Sequence, residues 1–289
     1  MGARVYRDYD QEALDAAYNA RATVDFDATI AMWEAEAAAA RKALDCDRDK
    51  SFGPSEMEVL DVFPAGSRGG PMHLFIHGGY WRALTKEEHS FVAAGLVPAG
   101  ATVVVNSYDL CPAVTLDTII EQCRQAVVWC WTHAADYGAD RDRFFVSGHS
   151  AGGHLTAMML ATDWTRYGLP ADAIKGVTPI SGLFDLEPLR LAYINEWIQL
   201  EAADVPRVSP VHNPPPPRPG KSAPVTITYG TKDPIEFGPQ ADAYLKSLAD
   251  NGVEADLYVQ GGADHFAAAF CLRDPESPLS RLIQAQMGL

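Results

Sequence analysis

The chain is poor in positive charge. Its 289 residues carry 23 Lys and Arg against 38 Asp and Glu, a formal net charge of −15. Nucleic-acid affinity comes largely from Lys and Arg on phosphates, so nucleic acid is not an expected partner, and neither is an anionic membrane surface. Patterned cysteine is also missing. Cys46, Cys111, Cys123, Cys130 and Cys271 make an odd set with no C-x-x-C or Cys/His metal spacing, and free thiols in a reducing compartment are the simplest reading. No apolar run approaches the ~20 residues that a membrane span requires. The opening stretch "MGARVYRDYDQEALDAAYNA" has no apolar core of the secretory kind, and Tyr6 replaces the Ser or Thr of a myristoylation motif. A cytoplasmic location is expected. There is no H-E-x-x-H, and no G-x-G-x-x-G after the first buried strand, so no metal and no dinucleotide cofactor are expected.

What is present is ordinary in amount and specific in order. Hydrophobic residues make up 47% and charged residues 21%, the range of a globular protein, and one α/β domain over 1–289 accommodates this length. Residues 10–45 are rich in Ala, Glu, Arg and Leu and read as an N-terminal helical segment. "EMEVLDVFPA" (56–65) alternates as an edge strand does. From "MHLFIHGG" onward, apolar strands alternate with helical stretches: strands at 101–110, 143–153, 174–186, 223–234 and 254–266, helices at 115–138, 154–164, 238–252 and 278–287. Continuous apolar strands alternating with helices imply a mostly parallel central sheet with helices on both faces. One interval breaks the rhythm. Residues 185–222 contain a mostly helical insertion and then "NPPPPRPG" (213–220), whose prolines force a stiff return that cannot join a central strand.

The chemistry is written in three places. "GHSAG" (148–152) fits G-x-S-x-G, follows the apolar strand "RFFVS" and opens a helix, the context in which such a serine is presented on a strained turn as a nucleophile. Ser150 is that serine. It needs a base, and the base needs an orienting acid, which follow in the order Ser, Asp or Glu, His. Of the eight histidines only His212 and His265 lie well beyond the Ser150 helix, and His265 follows a strand where His212 lies among prolines. Asp233, in "GTKDP" at the carboxyl end of a strand, is the preferred acid; Asp185, Asp264 and Glu236 are the rivals. The third place is "HGGYW" (77–81). Acyl transfer requires fixed backbone donors for the oxyanion, one from the residue after the nucleophile and others from a loop after an early strand. Ala151 supplies the first, and Gly79 and Tyr80 the others. His77 is expected to hold the loop by hydrogen bonding.

Taken together, "HGGYW", "YDLCP" (108–112), "GHSAGGHL" (148–155), "SGLFDLEPL" (181–189), "YGTKDPIEF" (229–237) and "GADHF" (262–266) resemble the arylformamidases, or kynurenine formamidases. The resemblance extends to "YNARATV" and "FGPSEMEVLDVFPA" and so covers nearly the whole chain. It implies an α/β-hydrolase fold, no cofactor, and hydrolysis of N-formylkynurenine to kynurenine and formate. It also places that family's Ser, Asp and His on Ser150, Asp233 and His265. The insertion then becomes a small helical cap, with Tyr80, Trp81, Phe184, Tyr193, Trp197 and Phe266 as candidates for an aromatic substrate pocket. A carboxylesterase acting on short acyl esters shares these motifs, and a non-catalytic binding protein on the same fold is the remaining alternative. The expected partner is a small-molecule substrate; a homodimer would be ordinary for such a protein.

Overall fold

The computed structural model describes residues 3–216 and 223–289. Eight strands form one sheet in the order β1-β2-β4-β3-β5-β6-β7-β8. They are β1 (Asp47–Ser51), β2 (Val59–Phe63), β3 (Gly70–Ile76), β4 (Thr102–Asn106), β5 (Ala139–His149), β6 (Gly176–Ile180), β7 (Val225–Lys232) and β8 (Ala255–Asp264). β2 runs antiparallel to both β1 and β4, and every other pairing is parallel. This is the mostly parallel sheet that the strand–helix alternation predicts. Its inner strands are buried along most of their length because helices cover both faces. Side chains alternate between the faces. Met72, Leu74 and Ile76 of β3 pack in one core with Ile119, Cys123 and Val127 of the helix Leu116–His133 and Tyr244 of the helix Phe237–Asp250. Phe75, Val103 and Val105 pack on the other side with Trp33 and with Ile283 of the helix Pro278–Met287. All five cysteines are free thiols, and among the described residues no helix is long and apolar enough to cross a membrane.

Two local expectations are corrected. The edge strand at this end of the sheet is β1, "DRDKS", not the 56–65 stretch, whose β2 is an inner strand with Leu60, Asp61, Val62 and Phe63 all buried. Four of β1's five residues are charged, which hides it from a hydrophobic reading but suits an exposed edge, where charge discourages pairing with another chain. Asp61 is tolerated inside because Lys86 Nζ, itself buried, lies 2.9 Å from its carboxylate. The 10–45 segment is not one helix either. It divides into Gln11–Ala17, a 3-10 turn at Ala20–Thr23, and Phe26–Ala43. Asp10 and Asp25 accept from the amides of Ala13 and Ala28, so each helix has its own N-cap. Of the Pro-rich return, residues 217–222 lie outside the described residues.

Histidine is an unusual component of this core. Burial pulls the pKa of His73 and His77 down to about 3 and of His89 and His154 to about 4, and pulls that of His149 well below its ordinary value. These rings are neutral when folded. Below about pH 6.5 the unfolded chain binds protons that the folded chain refuses, so stability falls as pH falls, by about 1 kcal/mol per such histidine one unit below 6.5. Thermal melts between pH 7.5 and 5 should show a steep downward trend in Tm; a flat profile across that window would mean that these rings are not buried in the neutral form.

Candidate active site

Strand register assembles the site. β3 pairs with β5 so that Ile76 lies opposite Gly148, which brings the "HGG" loop after β3 beside the turn after β5. β7 pairs with β8 so that Lys232 lies opposite Asp264. The next residues along the chain are Asp233 and His265. Four segments distant in sequence thus meet at the carboxyl ends of parallel strands, where open α/β sheets carry their sites.

The turn at Ser150 is the tightest part. Ser150 has φ 57° and ψ −118°, a conformation that a residue with a Cβ seldom adopts and that costs on the order of 1–3 kcal/mol. It is held by its own N–H, which donates to Ile180 O (2.8 Å), and by its carbonyl, which accepts from His154 N (3.1 Å). A Cβ on Gly152 would come within 2.0 Å of Ile76 O, and one on Gly148 within 2.3 Å of Gly152 O. The two flanking glycines are therefore demanded by backbone crossing.

His265 Nδ1 is 2.5 Å from Asp233 Oδ1. The other carboxylate oxygen of Asp233 accepts from Gly230 N (2.7 Å) and from the hydroxyl of Ser181 (2.8 Å). Accepting from His265 Nδ1–H fixes the ring as the tautomer whose Nε2 carries a lone pair. The rival acids are engaged elsewhere. Asp264 caps the amides of Phe266 and Ala267, Asp185 accepts from Glu187 N, and Glu236 accepts from the Tyr9 hydroxyl. Among the described residues no hydrogen bond joins Ser150 Oγ to His265, although both line one cavity. Such contacts commonly tighten only when substrate is bound. His149, next to the serine, donates from Nε2 to His265 O (2.8 Å) and stays neutral because it is buried and faces His265. Sequence reasoning missed the roles of Ser181 and His149: both lie inside quoted motifs, but their partners, Asp233 and the carbonyl of His265, are reached only across the sheet.

The "HGGYW" loop explains its own composition. Gly79 has φ 108°, and a Cβ there would come within 2.0 Å of Ala83 O. Tyr80 (φ 49°) and Trp81 (φ 56°) are also left-handed. The amides of Arg82 and Ala83 both donate to Gly79 O (3.1 Å each), closing the turn. His77 donates from Nδ1 to Gly78 O (2.7 Å) and stacks on Tyr108 at 4.0 Å, whose hydroxyl donates to His77 O. The Tyr80 hydroxyl donates to Tyr18 O (2.6 Å), and Trp81 Nε1 donates to His154 Nδ1 (3.3 Å). Among the described residues no acceptor engages the N–H groups of Gly79, Tyr80 or Ala151.

Ser150, His265, Gly79 and Tyr80 line a cavity of about 330 Å³, a size suited to one small organic molecule. Of the six aromatic candidates, Tyr80, Tyr193, Trp197 and Phe266 are on its wall. Trp81 and Phe184 are not. Both are fully buried in the core, Trp81 anchoring the loop to His154 and Phe184 stacking on Tyr244 at 4.5 Å. The wall also holds residues that were not among the expected pocket residues: Asn19, Arg21, Phe26 and Trp33 from the N-terminal segment, and Arg82 from the glycine loop.

A family model for the alpha/beta hydrolase fold matches residues 73–269, the span from β3 to just past His265. The chain belongs to the α/β-hydrolase family. Within that family it groups with the kynurenine formamidases. The kynurenine formamidase of Danio rerio is 32% identical over 250 residues, covering 83% of this chain and 81% of that protein. That of Salmo salar is 33% identical over 82% of this chain and 80% of that protein. Among solved structures, one from Silicibacter sp. TM1040 superposes with a TM-score of 0.81 at 33% identity, covering 93% of this chain and 98% of that one. Esterase B of Lactobacillus rhamnosis, at TM-score 0.72 and 20% identity over 96% of this chain and 94% of that one, shares the fold.

As an α/β-hydrolase, the protein should depend on the backbone path of its glycine loop. Gly79→Ala forces a Cβ against Ala83 O at a left-handed position and displaces the Gly79 and Tyr80 amides. Hydrolysis of p-nitrophenyl acetate should fall at least about a hundredfold, in protein shown by circular dichroism to be folded. Retention of the parental rate would remove this loop from the reaction.

Proposed function

We propose that the protein is a serine hydrolase that cleaves a small aryl formamide such as N-formylkynurenine to the free amine and formate. The observation that carries this reading is the shared cavity of about 330 Å³. Its floor holds Ser150 and an Asp233-oriented His265, its side presents the unengaged amides of Gly79 and Tyr80, and its wall is aromatic. The named relatives from Danio rerio and Salmo salar support the substrate.

The reaction follows from the groups in place. His265 Nε2 takes the proton of Ser150 Oγ as the oxygen attacks the formyl carbon. The carbonyl oxygen becomes an oxyanion and accepts from the amides of Gly79, Tyr80 and Ala151, donors fixed before the charge appears. Ala151 is the first residue of the helix Ala151–Leu160, whose positive end adds to that field. The tetrahedral species collapses, the C–N bond breaks, and His265 gives its proton to the departing aniline nitrogen. Water then enters with His265 as base, releases formate and restores Ser150. Asp233 holds the ring orientation and stabilises the imidazolium throughout. A formyl group suits this arrangement because its carbon carries only hydrogen, leaving the cavity for the aryl portion. The protein is read as cytoplasmic, consistent with five free thiols, and as acting without a metal or other cofactor.

A carboxylesterase reading has one observation in its favour: esterase LipQ of Mycobacterium tuberculosis is 25% identical over 76% of this chain. Measuring kcat/KM for N-formylkynurenine and for p-nitrophenyl acetate on one preparation separates the two. The formamide should be preferred; ester turnover with no formamide turnover would establish the esterase. Ser150→Ala should lower kcat on either substrate by about three orders of magnitude or more, and a near-normal rate in that variant would end the serine mechanism. Tyr80→Phe keeps the amide but releases Tyr18 O, and should raise KM about fivefold, the loss of one hydrogen bond of about 1 kcal/mol.

A further inference from the structure

The outer part of the cavity carries charge that the reaction at Ser150 does not use. Arg21 is exposed, in the 3-10 turn Ala20–Thr23, and Arg82 is half-buried, in the turn of the glycine loop; both line the same cavity as Ser150. Among the described residues neither guanidinium has a carboxylate within ion-pairing distance or a hydrogen-bond acceptor. What each has is an aromatic ring. The Arg82 guanidinium carbon lies 3.4 Å over the Trp197 ring, and that of Arg21 lies 3.9 Å over Phe26. Stacking fixes the plane of a guanidinium and leaves its N–H edge free for a planar anion. Two free cations on one cavity are unexpected in a chain with 38 acidic side chains. Arg82 is also held under its ordinary pKa range, by burial first and by the charge of Arg21 second, with Tyr193 and then Glu196 opposing. An anion between the two arginines would relieve both effects. Tyr193 lines the same cavity and feels the charge of both arginines, and its hydroxyl has no hydrogen-bond partner among the described residues.

We infer that Arg21 and Arg82 form an anion-binding subsite that holds a carboxylate on the part of the substrate remote from the bond being cleaved, with the Tyr193 hydroxyl as a further donor. Arg82 N donates to Gly79 O, so the guanidinium and the oxyanion donors belong to one turn. The carboxylate and the reacting carbonyl are thereby set at a fixed separation. Neutral acyl esters have nothing to place there. The inference rests on the formamidase reading only for what occupies the inner end of the cavity, and it can fail or hold separately from it.

The test uses a matched pair: the deformylated product lacking its α-amino group, as the free acid and as the primary carboxamide. The two differ in the charge of one group and are not turned over. Titration calorimetry on the wild-type protein should give an acid that binds about ten- to a hundredfold more tightly than the amide, as charge-assisted hydrogen bonds predict. The ratio should shrink as salt rises, since part of each cation is exposed. Arg21→Gln and Arg82→Gln should each lower the ratio, and the double variant should bring it near one. Because the ratio is taken within one variant, a general loss of fold or affinity cancels. Equal binding of acid and amide by the wild type overturns the subsite, as does a ratio unchanged in the double variant. The corresponding formylated pair, followed by kcat/KM, tests the reaction independently: no hydrolysis of either formamide with the binding ratio intact rejects the formamidase reading and keeps the anion site.

Discussion

Everything in the site depends on one close backbone crossing. The helix that follows Ser150 must pass against the end of β3 closely enough that Gly152 has only 2.0 Å between its missing Cβ and Ile76 O. That contact sets the height of Ser150 above the sheet and forces its φ into the left-handed region. It also brings the loop after β3 under the serine: a Cβ on Gly78 would meet His149 O at 2.7 Å. A larger residue at any of these positions would push the serine away from the glycine loop. Strain at Ser150, Tyr80 and Trp81 is thus the consequence of fitting two strand ends and a helix into one small volume, and it persists because the surrounding hydrogen bonds over-determine it.

The buried histidines form the second tier of support. His77 ties its own loop through Gly78 O and Tyr108. His154 accepts from Trp81 and donates to Val208 O at 2.7 Å, linking the glycine loop, the Ser150 helix and the insertion after β6. His149 holds the carbonyl of His265. Each ring serves as a rigid neutral element that donates at one nitrogen and, in His154, accepts at the other. Among the described residues only His265 has a side-chain carboxylate as its hydrogen-bond partner, through Nδ1.

The third tier is the N-terminal segment, which converts an open cleft into a cavity. Tyr18 receives the Tyr80 hydroxyl at its carbonyl, and its own hydroxyl accepts from Gln240 Nε2, so the segment is pinned to both the glycine loop and the helix Phe237–Asp250. Asp15 accepts from the Tyr193 amide and fixes the insertion against the same segment. The break between the two helices there is what carries Asn19, Ala20 and Arg21 onto the cavity wall. The cavity wall therefore draws on two additions to the sheet, one before it and one within it, while Ser150, Asp233 and His265 lie at the sheet's own strand ends.

Local chemistry was legible from the amino-acid order alone. "GHSAG" between an apolar strand and a helix requires a tight turn because only glycines permit the approach, and "HGGYW" requires a left-handed backbone because a Cβ at Gly79 has no room. The alternation of apolar runs with helices dictated a parallel sheet, and strand-end position picked Asp233 and His265. The same signals misjudged what has no local pattern. β1 is almost all charge and was invisible to hydrophobic periodicity; the helical composition of 10–45 concealed its break at Asn19–Thr23. Trp81 and Phe184 looked like substrate aromatics, but a ring's preference for burial is satisfied equally by a core and by a pocket. Which of the two receives it is decided by how helices and loops pack over the strand ends. So are the position of Ser181 behind Asp233 and the approach of Arg21 to Arg82, 61 residues apart. Motifs record constraints between neighbours in the chain; contacts across the sheet depend on register and on the segments that close over it, and these exist only once the whole chain has folded.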